Sequence, residues 1–332
     1  MDTAQPASSQ SLRMPVYWAA AGLVLVLWVL AMLRLDWWGM FAETWPLTLT
    51  MVFGSFIAGA TAEGGGAVAF PVFTKAFGVA PHDAKVFAFM IQSFGMTMAG
   101  LVIYLRKIPV LWHVIGFGLA GGVFGLIVGD TFLALPNPYP KLFFSLVAGV
   151  FGFFLIYNRW IVNNAPSEHI RLRRSVQLTL FTLTGFLGGM ISSVIGVGID
   201  MMTFILLTLL FGVNEKISTP TTVVMMGLLS VFGFFWFGAV KSEINPVVWQ
   251  YWMSCVPVVI FGAPFGAWVC SKIKRDHLIW LLLLLIGVDL GSTLWVVPMT
   301  PERIQFLLVS TLIASSLFAL LLWLRRFVTD EA

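Results

Sequence analysis

The chain has 332 residues, of which 59% are hydrophobic and only 10% charged, and its mean hydropathy is +0.94. A soluble core cannot bury so much apolar surface, so the composition excludes a soluble protein and indicates one integral membrane domain over residues 1–332. The formal net charge of +4 fits loops that face anionic lipid and does not indicate a nucleic-acid partner.

Ten apolar segments follow one another, and most are long enough to cross a bilayer core of ~30 Å. They cover residues 16–33, 46–77, 84–105, 109–130, 141–162, 176–211, 217–240, 246–271, 277–297 and 304–324. The first runs into Trp37-Trp38 without a small-x-small cleavage site, which favours a retained transmembrane helix over a signal peptide. The predicted divisions are an N-terminal helix (16–45), two repeats (46–162 and 176–297) and a C-terminal helix (304–324).

Two apolar segments are interrupted by glycine-rich stretches 134 residues apart. The first reads Ala62-Glu63-Gly64-Gly65-Gly66, and the second reads Gly196-Val197-Gly198-Ile199-Asp200. Each interruption carries one carboxylate. Since unwound backbone and acidic groups are costly at membrane depth, the two breaks predict a substrate or ion site.

The features around the two breaks recur in the same order, which indicates an internal duplication. A shift of 134 residues aligns Gly54 with Gly188, Gly64 with Gly198, Phe70 with Phe204, and Gly78-Val79 with Gly212-Val213. Later in each half comes a GxxxG pair, Gly118/Gly122 and Gly262/Gly266. Small residues at this spacing let two helix backbones approach closely.

The 19 Lys and Arg residues indicate how the interrupted segments meet the membrane. If both segments cross, the basic residues divide ten to nine, which gives no orientation signal. If both are re-entrant hairpins, thirteen lie on one side and six on the other, in agreement with the positive-inside rule. The thirteen are Arg13, Arg106, Lys107, Arg159, Arg171, Arg173, Arg174, Lys216, Lys272, Lys274, Arg275, Arg325 and Arg326; the six are Arg34, Lys75, Lys85, Lys141, Lys241 and Arg303.

The sequence therefore predicts an all-α integral membrane protein with about eight transmembrane helices and two re-entrant helical hairpins. Each repeat then crosses the membrane three times, so the second repeat is inverted, and both termini are cytoplasmic. Each hairpin has room for two half-helices of about fourteen to sixteen residues, or ~21–24 Å, so the tips can meet near the midplane.

The hairpin tips are predicted to bind a small oxyanion. The first amide groups of each second half-helix lack an intrahelical partner, and they suit a carboxylate, a sulfite or a sulfonate. Glycine permits the necessary close approach of the backbone. The predicted substrate-binding residues at the tips are Gly64, Gly65, Gly66 and Gly198.

Glu63 and Asp200 lie beside this site, and three roles remain open for them: proton carrier, cation ligand, or cap of a half-helix facing a water-filled vestibule. An ionised carboxylate repels a bound anion, whereas burial raises the pKa of a carboxyl group, so proton coupling is physically reasonable. We predict an ion-coupling role for both residues, with H⁺ or Na⁺ as the coupling ion.

The helices that follow the hairpins carry polar groups at which a substrate could bind. The predicted contacts are Gln92 and Ser93 in the first half and Ser218, Thr219 and Thr221 in the second. The alternative is hydrogen bonding between helices or back to the i−4 carbonyl.

Two more acids receive predictions. Asp289 lies in mid-helix, where an ion-coupling role competes with a structural bond to a neighbouring Ser or Thr. Asp130 lies at a helix end near the predicted outer surface, where we expect it to be solvated. No catalytic pairing, metal-ligand spacing or nucleotide-binding loop points to an enzyme, a metal or another cofactor.

The sequence resembles the TauE/SafE sulfite exporter family, also called the 4-toluene sulfonate uptake permease family, over roughly residues 46–297. The first copy of the motif runs from Gly54 to Gly59, through Glu63-Gly64-Gly65-Gly66, to Phe70-Pro71 and Gly78-Val79. The second copy comprises Gly188-Gly189, Gly196-Val197-Gly198, Gly212-Val213 and Ser218-Thr219. Where the family's second copy has further glycines and a proline, this chain has Ile199, Asp200 and Ile205.

The resemblance implies transport of sulfite, a sulfonate or another small organosulfur anion. We predict a secondary transporter in the cell inner (plasma) membrane, coupled to an ion gradient, with protons as the favoured coupling ion, and in contact with membrane lipid. A passive anion channel is the alternative, and an intramembrane enzyme lacks supporting motifs. Homodimer formation stays open, as do the direction of transport and the identity of the anion.

Overall fold

The computed structural model describes residues 14–161, 170, 172–273 and 275–330, and the described residues are predominantly helical. The helices are α1 (Met14–Leu35), α2 (Phe41–Ala60), α3 (Gly66–Pro71), α4 (Pro81–Leu105), α5 (Trp112–Phe132), α6 (Tyr139–Ile156), α7 (Arg174–Ile195), α8 (Ile199–Ile205), α9 (Glu215–Phe235), α10 (Pro246–Cys270), α11 (Arg275–Val296) and α12 (Pro301–Asp330). Of the residues in the topology count, Arg13, Arg171 and Lys274 lie outside the described residues.

Nine of the described helices are long and apolar enough to cross a membrane, judged by length and composition. Eight of them, α1, α4, α5, α6, α9, α10, α11 and α12, correspond to the predicted transmembrane helices. The ninth is α7, which the sequence assigns to the second hairpin. The prediction of an all-α integral membrane protein is confirmed.

Both glycine-rich stretches interrupt the helices, as predicted. The chain leaves the helix between α2 and α3 and again between α7 and α8. The arms are unequal, however: α2 and α7 have 20 and 22 residues, whereas α3 and α8 have 6 and 7. The expectation of equal half-helices of fourteen to sixteen residues is therefore wrong.

The short second arms end in matching turns. Each continues as a five-residue π-helical turn, Val72–Ala76 or Leu206–Leu210. The turns close with hydrogen bonds from Val79 N to Phe73 O and from Val213 N to Leu207 O, both of 2.9 Å. Gly78 and Gly212 follow these turns with φ of +67° and +62°, which ends the helical path.

Glycines bring two pairs of long helices close together. A Cβ atom on Gly185 or Gly189 of α7 would overlap the carbonyl of Gly118 or Gly122 in α5. In the same way, a Cβ on Gly266 of α10 would overlap the Phe56 carbonyl in α2. The predicted close packing at the GxxxG pairs is thus confirmed, and it places the GxxxG helix of each half against the first arm of the other half.

Candidate functional site

The two helix breaks touch each other inside the protein. A Cβ atom on Gly64 would lie 2.7 Å from Asp200 Oδ2 and 2.8 Å from Gln92 Oε1, and one on Gly66 would overlap Val197 Cγ1. Both carboxylates are buried, Glu63 with 1% and Asp200 with 0% of its surface exposed. We call this contact region the junction, and it comprises Glu63, Gly64, Gly65, Gly66, Gln92, Val197 and Asp200.

Gly64 satisfies two demands of the junction at once. Its φ of +66° lies in the left-handed region, which costs a residue with a Cβ about 1–2 kcal/mol. Its missing side chain also leaves the space that the oxygens of Asp200 and Gln92 occupy. Backbone conformation and close approach therefore both require glycine here.

Gln92, one of the predicted substrate contacts, fixes the second break to α4. Its Nε2 donates to Ala88 O in α4 and to Gly196 O in the break, each at 2.9 Å. This orientation directs Oε1 toward Gly64. Gly196 follows the end of α7, so its carbonyl has no partner within the helix. Gln92 donates the hydrogen bond that this carbonyl needs.

Asp200 closes the start of α8. Its Oδ1 accepts hydrogen bonds from the amides of Gly198 and Met201, both at 3.0 Å, and Ser192 Oγ accepts one from the amide of Ile199 at 3.2 Å. In this conformation the amides of Gly198, Ile199 and Met201 therefore have protein acceptors, and anion binding at Gly198 stays a prediction. The capping role that the sequence left open describes Asp200.

The first break has no such side-chain bonds at the start of its second arm. Residues 62–65 form a turn, and no side chain caps the start of α3 at Gly65. The Glu63 amide donates to Thr61 Oγ1 at 3.3 Å. Side-chain oxygens thus bond the amides of the second break, whereas no side chain caps the first.

Three oxygen atoms of the junction are buried without a hydrogen-bond partner: Glu63 Oε1, Gln92 Oε1 and Asp200 Oδ2. An unsatisfied buried polar atom costs about 1–3 kcal/mol, and a charged one costs more. Protons or a cation would satisfy such acceptors, whereas an anion would not. Among the described residues, no group of three His, Cys, Asp or Glu side chains is placed to hold a metal ion.

The other predicted polar residues are not placed alike. Ser93 Oγ donates to Met90 O at 2.7 Å, and Thr221 Oγ1 donates to Ile217 O at 2.6 Å while accepting from the Leu111 amide at 3.0 Å. These two hydroxyls therefore form hydrogen bonds with the backbone, which is the alternative that the sequence left open. Ser218 Oγ is buried without a partner, and Thr219 faces a cavity.

This cavity has a volume of about 620 Å³ and a basic lining. Arg106, Lys107 and Lys216 are among the lining residues, which include no acid. The cavity also reaches Gly59 near the end of α2, four residues before Glu63. A positive concave surface of this size attracts and accommodates small anions, so we name it the basic cavity.

Asp289 lies apart from the junction, in an ion pair that the sequence did not reveal. Its Oδ1 lies 2.5 Å from Lys75 Nζ, and Ser145 Oγ donates to its Oδ2 at 2.5 Å. Lys75 also donates to Thr293 Oγ1 at 2.6 Å and has only 4% of its side chain exposed. Lys75 is therefore no loop residue, although the topology count places it in one. A lysine inside an apolar segment was the available signal, because it needs a buried partner.

The expectation that Asp130 is solvated is wrong. Only 5% of its side chain is exposed, and it pairs with Lys85 at 3.0 Å and Lys241 at 3.4 Å. Trp236 Nε1 adds a hydrogen bond of 3.0 Å. The position of Asp130 near a helix end suggested exposure, but side chains of neighbouring helices cover it.

The comparisons with known proteins agree with this architecture. The family model described as sulfite exporter TauE/SafE matches residues 47–291, a range that includes both breaks and every predicted site residue. No curated protein and no solved structure matches the chain. The match spans well over half of the 332 residues, and the chain therefore belongs to the TauE/SafE sulfite exporter family of membrane transporters.

Proposed function

We propose that the protein is a secondary transporter of a small sulfur-containing anion, such as sulfite or an organosulfonate, and that protons couple its transport. The junction is the observation that carries the proposal. It combines two buried carboxylates, Glu63 and Asp200, with the backbone amides of Gly64, Gly65 and Gly66 at a helix start that no side chain caps. Acceptors for protons thus lie beside donors for an anion.

The basic cavity supports an entry route on one side. Arg106, Lys107 and Lys216 would raise the local concentration of anions there. An anion would then pass Gly59 and Thr219, which also line the cavity, on its way toward the junction. Protonation of Glu63 and Asp200 would remove their repulsion for the anion and turn two acceptors into O–H donors.

An inverted repeat with two re-entrant hairpins agrees with the helix packing. The two close pairs, α5 with α7 and α2 with α10, exchange under the repeat, because α2 corresponds to α7 and α5 to α10. The matching turns at Val79 and Val213 also follow the shift of 134 residues. Alternating access would then arise as the two halves rock or slide around the junction.

We assign the protein to the cell inner (plasma) membrane with both termini in the cytoplasm. The excess of Lys and Arg on the side of Arg106, Lys107 and Lys216 supports this orientation. The basic cavity would accordingly open toward the cytoplasm.

Transport by the purified protein in liposomes tests the proposal. Sulfite, sulfoacetate, taurine, isethionate and aryl sulfonates serve as the substrate panel. We expect counterflow of at least one anion and its uphill accumulation when a pH gradient is imposed. Absence of counterflow for the whole panel would contradict the proposed function, and conductance without counterflow would favour the alternative of a passive channel.

Two variants test the coupling residues. Glu63→Gln and Asp200→Asn should retain counterflow but lose accumulation driven by the pH gradient. The matched control is Glu43→Gln, since Glu43 is an exposed acid of helix α2, which precedes the first break; this variant should behave as the native protein. An unchanged pH dependence in both junction variants would remove Glu63 and Asp200 as proton carriers.

A further inference from the structure

A second cluster of charges lies at the far end of the helices that border the basic cavity. The C-terminal end of α4 leads to Arg106 in the cavity, and Lys85 lies in the first turns of the same helix. The 21 positions from Lys85 to Arg106 span about 32 Å at 1.5 Å per residue, close to the thickness of a bilayer core. The cluster around Lys85 and the basic cavity thus lie on opposite sides of the membrane domain.

Two other helices show the same arrangement. Helix α5 begins after Leu111, which lines the cavity, and carries Asp130 near its opposite end. Helix α9 begins near Lys216 in the cavity and is followed at its other end by Trp236 and Lys241. The cluster is therefore where a path through the junction would reach the opposite face.

Asp130 is the centre of this cluster, and its carboxylate accepts two hydrogen bonds and forms a further ion pair. Its Oδ1 accepts from Lys85 Nζ at 3.0 Å, while its Oδ2 accepts from Trp236 Nε1 at 3.0 Å and lies 3.4 Å from Lys241 Nζ. Two full positive charges and an indole N–H thus converge on one buried anionic group.

The cluster joins both halves of the protein. Lys85 and Asp130 belong to the first repeat, whereas Trp236 and Lys241 follow α9 in the second. Lys85 Nζ also donates at 2.8 Å to Ser193 O, three residues before the second break begins at Gly196. Separation of the two halves at this end must therefore break the bonds to Asp130.

The surroundings leave the cluster with positive character once Asp130 is removed. Glu243 lies 3.8 Å from Lys241 and 3.8 Å from His82 Nε2. Glu243 and His82 are partly exposed, and the Phe237 ring lies under Lys85 with its centre 4.9 Å from Nζ. Glu243 balances the charge of one lysine, so the charge of the other is uncompensated once Asp130 is removed.

We propose that Lys85, Lys241 and Trp236 form a second binding site for a small oxyanion, and that the Asp130 carboxylate occupies this site in the present conformation as a tethered substitute. The site would hold the transported anion at the face opposite the basic cavity while Asp130 is displaced. Its role in transport rests on the proposed function, but anion binding at the site does not.

The donor set fits a sulfite or sulfonate group. Such a group presents three oxygens on one atom, and two ammonium groups and an indole N–H converge here from two segments, α4 and the turn that follows α9. Hydrogen bonds from charged donors to an anionic oxygen are roughly twice as strong as neutral ones. In the present conformation the carboxylate of Asp130 makes the bonds that a free anion would make.

The test measures binding of inorganic sulfate to the full-length protein in detergent, by the shift in its unfolding midpoint. Asp130→Asn keeps the side-chain volume and removes the charge, and Asp130→Ala also empties the space. Asp276→Ala is the matched control, because Asp276 also pairs with a basic side chain, Arg159 at 2.6 Å, but is half exposed. Sodium chloride at equal ionic strength corrects for screening.

Sulfate should raise the midpoint of an Asp130 variant by about 2–4 °C more than that of the native protein or of the Asp276→Ala variant. Addition of Lys85→Met to Asp130→Asn should abolish the extra shift. Equal shifts in the native protein and Asp130→Asn would overturn the proposal, as would an extra shift that survives Lys85→Met. If Asp130→Ala does not fold, Asp130→Asn alone decides.

This experiment separates the second site from the proposed function. A sulfate shift without counterflow of any sulfur anion would retain the site and reject the transport assignment. Counterflow without the extra sulfate shift would retain the transporter and reject the site.

Discussion

A methyl group at Gly64 tests whether the contact between the two breaks matters for stability and transport. Gly64→Ala places a Cβ atom 2.7 Å from Asp200 Oδ2 and 2.8 Å from Gln92 Oε1, inside the ~3.5 Å of an unstrained contact. The chain offers a close control in Gly78. Its φ of +67° nearly equals the +66° of Gly64, yet no atom lies within 4 Å of a Cβ placed there.

The two substitutions share one cost and differ in another. Both force alanine into the left-handed region, at about 1–2 kcal/mol. Only Gly64→Ala also overpacks its surroundings, at about 1–3 kcal/mol more. The neighbours cannot yield easily, because hydrogen bonds fix Asp200 through Oδ1 and Gln92 through Nε2.

Unfolding midpoints in detergent and counterflow rates in liposomes measure the difference. At about 2–4 °C per kcal/mol, Gly64→Ala should unfold roughly 2–12 °C below Gly78→Ala. Its counterflow rate should fall about tenfold, the effect of some 1.4 kcal/mol on a barrier, whereas Gly78→Ala should transport normally. Equal midpoints and equal rates in the two variants would refute a functional contact at Gly64.

Three further outcomes follow from other parts of the molecule. Lys75→Met leaves Asp289 buried without its cation and should destabilise the protein by about 3–5 kcal/mol, while Asp289→Leu added to it should restore most of the loss; a double-mutant cycle of unfolding midpoints would show no such recovery if the pair were unimportant. Gln92→Leu removes the donor to Gly196 O, so a loss of about 1–3 kcal/mol is expected, and an unchanged midpoint would contradict the anchoring role. Arg106→Gln and Lys107→Gln should raise the half-saturating anion concentration at low salt and have a smaller effect at high salt, in transport measured from the side of the basic cavity; a salt-independent effect would argue against electrostatic attraction.

The sequence was sufficient to locate the breaks, because a run of glycines beside a carboxylate is costly in a continuous membrane helix and indicates that the helix is interrupted there. The pattern of the two breaks predicts that Gly64 and Asp200 belong to one site, and the structure brings them into contact. The close packing at Gly266 also followed from spacing alone. These features depend on local backbone chemistry, which a sequence states directly.

Pairings between distant side chains could not be derived in this way. The contact of Lys75 with Asp289 joins residues 214 positions apart, and that of Asp130 with Trp236 joins residues 106 apart. Nothing in either segment specifies its partner. The lengths of α3 and α8 were also predicted wrongly. Both helices end in π-helical turns, and the hydropathy of the sequence does not reveal such turns.

The two breaks are unequal, and this inequality bears on how the transporter changes conformation. Asp200 bonds the amides at the start of α8, whereas no side chain caps the start of α3. Lys75 ties the first short arm to Asp289, and its counterpart in the second arm, Leu209, is apolar. If the two repeats were identical, the two conformations that they interconvert would have equal free energy. These repeats bury different charges, so the two free energies differ. We therefore expect the protein at rest to favour the conformation open at the basic cavity, and anion and proton binding must supply the free energy that populates the other.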